Sequence, residues 1–168
     1  QVTGETILLG PDANFPVQAT TTPLGGGNTL VVYNAGGRIF ARVLDGNDTP
    51  LGEPVQISGP GNDSVRPDVV RLDDGSAVAV WTTFGDVSRS AEARRIDADG
   101  APLGPVVELE FDDDVSVSDV HAIALANGDI GIGWAEASFD GINRSIAKFQ
   151  VFATDQSEDL ELGTDGRD

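Results

Sequence analysis

The sequence predicts an all-β protein built from a four-stranded antiparallel unit, resembling a propeller blade, that occurs about three times. Leu, then Gly three residues later, then an aromatic residue six further on, recurs along the chain. From Tyr33 to Trp81 is 48 residues and from Trp81 to Trp134 is 53, a period typical of blades or solenoid units. No ten-residue segment shows apolar helical spacing with caps. The triplets are Leu24, Gly27 and Tyr33; Leu72, Gly75 and Trp81; and Leu125, Gly128 and Trp134.

Each of these glycines follows a residue that favours a tight turn, namely Gly26, Asp74 or Asn127. Between apolar runs, such dipeptides are typical of two-residue type I′ hairpin turns, in which both central residues have positive φ. The sequence therefore predicts a hairpin at the same place in every unit.

The other strands follow from the pattern on either side of these turns. Residues 77–81 form a continuous apolar run, which is typical of a strand covered on both faces. In the third unit Gly131 and Gly133 alternate with Ile, and glycines on one face let another backbone approach closely. The predicted strands are 19–24, 29–33, 39–44 and 53–57; 67–72, 76–82, 91–96 and 106–110; and 120–125, 130–134, 146–152 and a weak 160–162.

We expect a single repeat module, residues 1–168, with units at about 15–60, 61–112 and 113–162. The apolar run within residues 1–10 resembles a fourth strand, so it either closes the structure or belongs to a longer array. Residues 163–168 form a polar tail. Propeller rings usually take 4–8 blades. Three units therefore predict an incomplete ring, or one completed by copies of the chain or by adjoining repeats.

The charge balance excludes several functions. The chain has 28 acidic and 10 basic residues, a net charge of −18, which disfavours binding to nucleic acid or anionic membranes and favours cations or basic partners. The chain has no Cys, which excludes disulfide and thiolate chemistry. It also has no Met, so we expect that it does not begin at its own start codon. This composition fits a secreted or cell-surface protein.

Two segments carry a family resemblance. Residues 73–81, Asp-Asp-Gly-Ser-Ala-Val-Ala-Val-Trp, and 94–104, Arg-Arg-Ile-Asp-Ala-Asp-Gly-Ala-Pro-Leu-Gly, together resemble a β repeat of large secreted bacterial proteins. Those proteins often carry RTX calcium-binding nonapeptides, and many are adhesins or surface proteins. The resemblance covers the chain as three copies, best in the second, and the nonapeptide itself is absent. It implies an extracellular bacterial protein with an adhesive or structural role.

Calcium is the predicted ligand because it takes six to eight oxygen ligands from carboxylates, carbonyls and water. Two turns place acidic or amide side chains two residues apart, and a denser acidic cluster lies between the second and third units. The alternative is that the turn residues form Asx turns and the cluster is a solvated loop. The candidate metal ligands are Asp97, Asp99, Asp45, Asn47, Asp112 and Asp114.

Ligand contacts are predicted in the loops 84–90 and 138–144, which differ in length between units. Phe84 and Phe139 are the candidate ligand-binding residues in these loops, whereas the aromatic residues of the triplets are expected in the core. His121 is the only histidine, and no nucleophile elbow or set of zinc ligands accompanies it. No spacing singles out a carboxylate pair for glycoside hydrolysis.

We therefore expect an extracellular structural or adhesive binding module, stabilised by calcium and not an enzyme, with no catalytic or cofactor-binding residues. Its expected partners are copies of itself or adjoining repeats, and glycans. A carbohydrate-binding, lectin-like module is the alternative, and a propeller-type hydrolase is the third.

Overall fold

The computed structural model describes residues 9–10, 18–61, 63–85, 89–109, 111, 115–138 and 144–153. In this part of the chain eleven strands form three antiparallel sheets. Blade 1 contains β1 (Ala19–Pro23), β2 (Thr29–Ala35), β3 (Arg38–Leu44) and β4 (Pro50–Gln56). Blade 2 contains β5 (Asp63–Arg71), β6 (Ala77–Phe84), β7 (Arg89–Ile96) and β8 (Pro102–Glu108). Blade 3 contains β9 (Val115–Ala124), β10 (Ile130–Ser138) and β11 (Arg144–Phe152).

Each sheet is a simple meander in which neighbouring strands are also consecutive in the chain. The predicted all-β fold of repeated antiparallel units is therefore confirmed. The predicted fourth strand of the third unit, 160–162, lies outside the described residues. Within the described ranges the only helical element is a three-residue 3-10 turn, Gly25–Gly27, and no helix there is long and apolar enough to span a bilayer.

The predicted turn type is wrong in the second and third units. The amide of Gly75 donates to the carbonyl of Leu72 at 3.1 Å, and Gly75 has φ 92° while Asp74 is not left-handed. This is a type I turn followed by a left-handed glycine, the usual three-residue hairpin loop. Gly128 repeats the pattern with φ 90°. Positive φ is thus needed at one position of each of these loops rather than at two.

The blades stack face to face, and blades 2 and 3 each pack the face that carries their tryptophan on the preceding blade. Trp81 of blade 2 shares a buried cluster with Leu30 and Val32 of blade 1. In the same way, Trp134 of blade 3 shares a cluster with Val78 and Val80 of blade 2. The expectation that Tyr33, Trp81 and Trp134 belong to the core is confirmed, since all three are buried.

The two buried indoles find their hydrogen-bond partners differently. Trp81 donates from Nε1 to Oε2 of Glu92 at 2.8 Å, across the sheet on β7. At the matching position on β11 the chain has Lys148, so Trp134 donates to Glu136 at 2.9 Å instead. Lys148 then neutralises Glu136, with Nζ and Oε2 2.7 Å apart. Both N–H groups are therefore paired, as burial of a Trp requires.

Candidate functional site

The first strands of the three blades, β1, β5 and β9, lie side by side, and polar residues at equivalent positions on them touch. Thr20 donates from Oγ1 to Oδ1 of Asp68 at 3.2 Å, and Nδ1 of His121 lies 3.2 Å from Oδ2 of Asp68. These three residues are separated by 48 and 53 positions, which is the repeat period. We call them the lower row.

A second row, the upper row, lies two residues earlier in each blade and consists of Gln18, which directly precedes β1, Arg66 on β5 and Asp119 on β9. The backbone amide of Arg66 donates to Oε1 of Gln18 at 3.0 Å. Nη1 of Arg66 lies 2.5 Å from Oδ1 of Asp119 in an ion pair whose side chains are about half exposed. Side chains from three blades thus meet at equivalent positions of the neighbouring blades.

Strained backbone marks the upper row. Arg66 and Asp119 have φ of 53° and 52°, and a β-bulge interrupts the register of β5 and of β9 at these residues. A left-handed conformation costs a non-glycine residue about 1–2 kcal/mol. Bulges re-aim side chains, and residual strain of this kind concentrates at functional sites. The upper row is therefore the first part of the candidate site.

Asp68 in the lower row is occupied by protein donors. Its Oδ1 also accepts from its neighbour's amide, Val69 N, at 2.9 Å, and its Oδ2 accepts from Ala122 N at 3.1 Å. Together with Thr20 and His121, these contacts tie the inner strands of all three blades to one carboxylate. The lower row therefore holds the three inner strands together next to the upper row.

A pocket of about 450 Å³ adjoins the upper row between blades 1 and 2. Its volume falls in the range of small-molecule sites, about 300–1,000 Å³. The wall combines one aromatic ring with a carboxylate, two amides and a guanidinium. The lining residues are Gln18, Asn34, Gly37, Asp63, Val65, Arg66 and Phe84.

Gly37 lets the hairpin of blade 1 close against the start of β5. It has φ 74°, and a Cβ at this position would overlap the carboxylate of Asp63. Its carbonyl accepts a hydrogen bond from Ser64 N at 2.8 Å. Glycine is thus required both by the backbone conformation and by the space that the Asp63 side chain occupies in the pocket wall.

Phe84, a predicted ligand-binding residue, lies in this wall with 38% of its surface exposed. The guanidinium carbon of Arg89 stands 4.6 Å from the centre of its ring, a cation–π contact across the ends of β6 and β7. Phe139, the other predicted ligand-binding residue, lies outside the described residues.

Two of the four predicted metal ligands in the turns, Asp97 and Asp45, accept hydrogen bonds from backbone amides. Oδ1 of Asp97 accepts from Asp99 N at 2.9 Å and from Ala101 N at 2.8 Å. Oδ1 of Asp45 likewise accepts from the backbone amides of Asn47 and Thr49. These hydrogen bonds lower the pKa of the Asp45 carboxyl, and the bond from Thr49 has the largest effect. These are Asx turns.

The acidic cluster gives no further information on calcium, because Asp112 and Asp114 lie outside the described residues. In the described part of the chain no group of three or more His, Cys, Asp or Glu side chains is placed to hold a metal ion. Calcium binding therefore stays a prediction.

Most of the site escapes sequence reasoning. Thr20, Asp68 and His121 align across the units, but Gln18, Asp63, Arg66 and Asp119 are not singled out by any motif. One signal exists, because the repeat period that relates Thr20 to Asp68 also relates Gln18 to Arg66. The bulges that bring these side chains together do not correspond to any motif in the sequence.

No protein-family model matches the chain, and no curated protein matches it. Solved structures do. An endo-arabinase from Bacteroides thetaiotaomicron VPI-5482 is 19% identical, with 82% of this chain and 56% of that chain covered and a TM-score of 0.53. A thermostable family-43 glycoside hydrolase is 13% identical, with 86% and 57% covered and a TM-score of 0.55. A protein of unknown function from Dyadobacter fermentans DSM 18053 is 10% identical, with 86% and 51% covered and a TM-score of 0.58.

At these identities the likeness establishes the fold, which is β-propeller-like, and the chain spans little more than half the length of each structure. The comparisons also correct the expected function. The prediction of an adhesive or structural module that is not an enzyme is wrong, because the similar structures of named activity are glycoside hydrolases. The motifs behind that prediction encode hairpin turns and blade packing, which are independent of the chemistry at the inner strands.

Proposed function

We propose that this chain belongs to a carbohydrate-active propeller of the glycoside hydrolase type and holds a saccharide in the pocket between blades 1 and 2. The observation that carries the proposal is the pocket wall, in which the exposed ring of Phe84 lies with the carboxylate of Asp63 and the amide of Asn34. The propeller-like fold, shared with an endo-arabinase and a family-43 glycoside hydrolase, supports it.

The lining suits a sugar because a sugar ring has an apolar face of C–H groups and a rim of hydroxyls. Phe84 offers a flat apolar surface for the first. Asp63 and Asn34 offer polar groups for the second, and Oδ1 of Asn34 accepts a hydrogen bond from the backbone N–H of Gln18 at 2.6 Å. A preorganised polar group of this kind binds without a further loss of side-chain entropy.

Hydrolysis requires two carboxyl groups on either side of the glycosidic bond, one as acid and one as base or nucleophile. Among the described residues, Asp63 lines the pocket and Asp119 stands in the upper row. Arg66 lines the same pocket as Asp63 and forms the ion pair with Asp119. We propose Asp63, which lines the pocket, and Asp119, which pairs with the pocket residue Arg66, as the two carboxylates of this reaction, and Asp68 as a positioning residue.

The test combines binding and turnover on arabinan-derived and other plant oligosaccharides. Calorimetry on the wild-type chain is expected to give saturable binding, and a reducing-end assay is expected to show hydrolysis. Asp63→Asn and Asp119→Asn should each lower turnover by about 10²–10⁴-fold, the usual contribution of an acid or base, while binding persists.

Phe84→Ala should weaken binding, whereas Phe149→Ala, which removes an exposed ring far from the pocket, should leave it unchanged. Saccharide binding by the wild type without any turnover would contradict the hydrolase assignment. Absence of both would contradict the carbohydrate site itself.

A further inference from the structure

Gln18 in the pocket wall is held in one orientation although the residue is exposed. Its backbone forms two hydrogen bonds with Asn34: Gln18 N donates to Oδ1 at 2.6 Å, and the Gln18 carbonyl accepts from Asn34 N at 3.0 Å. Its side-chain Oε1 accepts from the backbone N–H of Arg66 at 3.0 Å. Contacts to blades 1 and 2 therefore fix both the backbone and the side chain of Gln18, whereas an ordinary surface glutamine keeps its rotamer freedom.

The contact with Arg66 decides which end of the Gln18 amide remains for a ligand. A backbone N–H donates, so the atom that it meets is the amide oxygen, and the NH2 group lies at the other end of the amide. Among the described residues none accepts a hydrogen bond from Nε2 of Gln18. Gln18 therefore offers N–H donors to the pocket, while its oxygen is engaged by blade 2.

The same contact completes the hydrogen bonding of the bulge in β5. The register of β5 against β6 is interrupted between Val65 and Asp68, so the ladder leaves the N–H of Arg66 without a strand partner. Oε1 of Gln18 supplies the acceptor, and Arg66 keeps its φ of 53°. This structural role uses the oxygen of Gln18 alone. A role in binding uses the NH2 group, so substitution can separate the two.

Arg66 adds further donors to the same wall. Its Nη1 is paired with Asp119, but in the described part of the chain its Nε and Nη2 meet no acceptor. An ionised Asp63 carboxylate in the wall offers acceptors only. The polar groups of the pocket thus differ in kind, and a sugar has to present oxygen lone pairs to Gln18 and Arg66 and a hydroxyl hydrogen to Asp63.

We propose that Gln18 is a specificity-determining residue of the pocket: its Nε2 donates to an oxygen of the bound sugar while its Oε1 holds the bulge of β5. This inference rests on the proposed function, because it takes the ligand to be a saccharide. A hydroxyl, ring or glycosidic oxygen accepts such a hydrogen bond. The amide is fixed before the ligand arrives, so binding costs little further side-chain entropy.

Two substitutions separate the donor from the acceptor. Gln18→Glu keeps an oxygen for the N–H of Arg66 and removes the NH2 group, whereas Gln18→Met has a similar length and removes both. Calorimetry with linear arabino-oligosaccharides, and then with xylo-oligosaccharides, measures the affinity. Gln18→Glu should weaken binding about tenfold, because a hydrogen bond is lost and a carboxylate faces the sugar oxygen. Gln150→Glu, which adds the same charge at an exposed position of β11, is the control and should bind as the wild type does.

Amide hydrogen exchange at Arg66 tests the structural half without any saccharide. Protection of this N–H should persist in Gln18→Glu and be lost in Gln18→Met, and circular dichroism checks that both variants are folded. Wild-type affinity in Gln18→Glu with the protection intact overturns the inference alone, because the oxygen would then be all that matters. Unchanged affinity in a folded Gln18→Met overturns it as well. A wild-type chain that binds neither oligosaccharide contradicts the proposed function and this inference together.

Discussion

Arg94 of blade 2 donates from Nη1 to the backbone carbonyl of Ile57, 2.9 Å away, in the segment that follows blade 1. Its Nε and Nη2 hold the carbonyl of Gly104 at 3.0 and 2.9 Å, so one guanidinium joins β7, β8 and the preceding blade. Arg42 repeats the arrangement in blade 1, with its Nη1 donating to Leu9 at 2.8 Å. In blade 3 the equivalent residue on β11 is Gln150.

Replacing Arg94 by the residue of blade 3, Arg94→Gln, should lower the free energy of unfolding by about 1.5–3 kcal/mol, the usual value for hydrogen bonds to a charged group. Urea denaturation followed by Trp fluorescence measures it. Arg71→Gln, at an exposed arginine, is the control and should stay within about 0.5 kcal/mol. An equal decrease in the free energy of unfolding in both variants would mean that the contact from Arg94 to Ile57 does not stabilise the fold.

The pair of Asp74 and Arg95 should make stability depend on acid pH. Burial alone would raise the pKa of Asp74, but hydrogen bonds from Ser76 and the charge of Arg95 outweigh it and lower the pKa. The folded pKa thus lies below the unfolded value of about 3.9. The stabilisation is complete above that pH and is lost as the pH falls through the folded pKa.

Asp74→Asn should therefore be less stable than wild type at neutral pH, and the difference should shrink below about pH 4. Asp74 is 44% exposed, so solvent screening limits the size of the effect. Denaturation curves across the acid range measure it, with the exposed neighbour in Asp73→Asn as control. A difference between wild type and Asp74→Asn that is constant with pH would contradict this assignment.

Substitutions in the Asx turn at Asp97 test whether this residue only stabilises the turn or also binds calcium. Asp97→Ala removes the acceptor of two amide hydrogen bonds and should cost about 1–2 kcal/mol in chelator. Asp99→Ala, at an exposed residue of the same turn, should change stability by less than about 0.5 kcal/mol. If the predicted calcium binding occurs there, calcium raises the melting temperature of the wild type and not of Asp97→Asn. No calcium response in the wild type would remove the metal prediction.

Gly36 and Gly37 form a matched pair for testing the pocket. Both have positive φ, 58° and 74°, so Ala at either position should cost about 1–2 kcal/mol. A Cβ on Gly36 meets nothing within 4 Å, whereas one on Gly37 displaces Asp63. Gly37→Ala should therefore weaken saccharide binding in calorimetry, and Gly36→Ala should not. Similar affinities for both variants would argue that Asp63 takes no part in binding.

The sequence predicts the strands and the core well because both depend on patterns that repeat. Trp81 and Trp134 lie where the aromatic spacing places them, and eleven strands fall within a few residues of their expected bounds. The turn class was less predictable. Asp-Gly suits both a type I′ turn and a type I turn with a following left-handed glycine, and only the hydrogen bond from Gly75 to Leu72 distinguishes them.

The candidate site was largely unpredictable for a different reason. The sequence predicts Phe84 in a ligand-binding loop, but Phe84 is the last residue of β6, where it lines the pocket, and its contact with a ligand stays a prediction. Arg66 and Asp119 meet because each lies at a β-bulge and has a positive φ. Neither bulged segment contains a glycine that would indicate the bulge in the sequence. The function was mispredicted because the motifs that resemble an adhesin repeat all lie in turns and packed faces.

The inner-strand rows have a consequence for how such a repeat can diversify. Thr20, Asp68 and His121 differ in chemistry although they hold one equivalent place, and none of them belongs to a buried apolar cluster. Duplicated copies can therefore accumulate substitutions on their inner strands, while packing keeps the buried faces that hold Tyr33, Trp81 and Trp134 alike. The architecture separates the packed residues, which must stay alike between copies, from the inner-strand residues, which are free to differ.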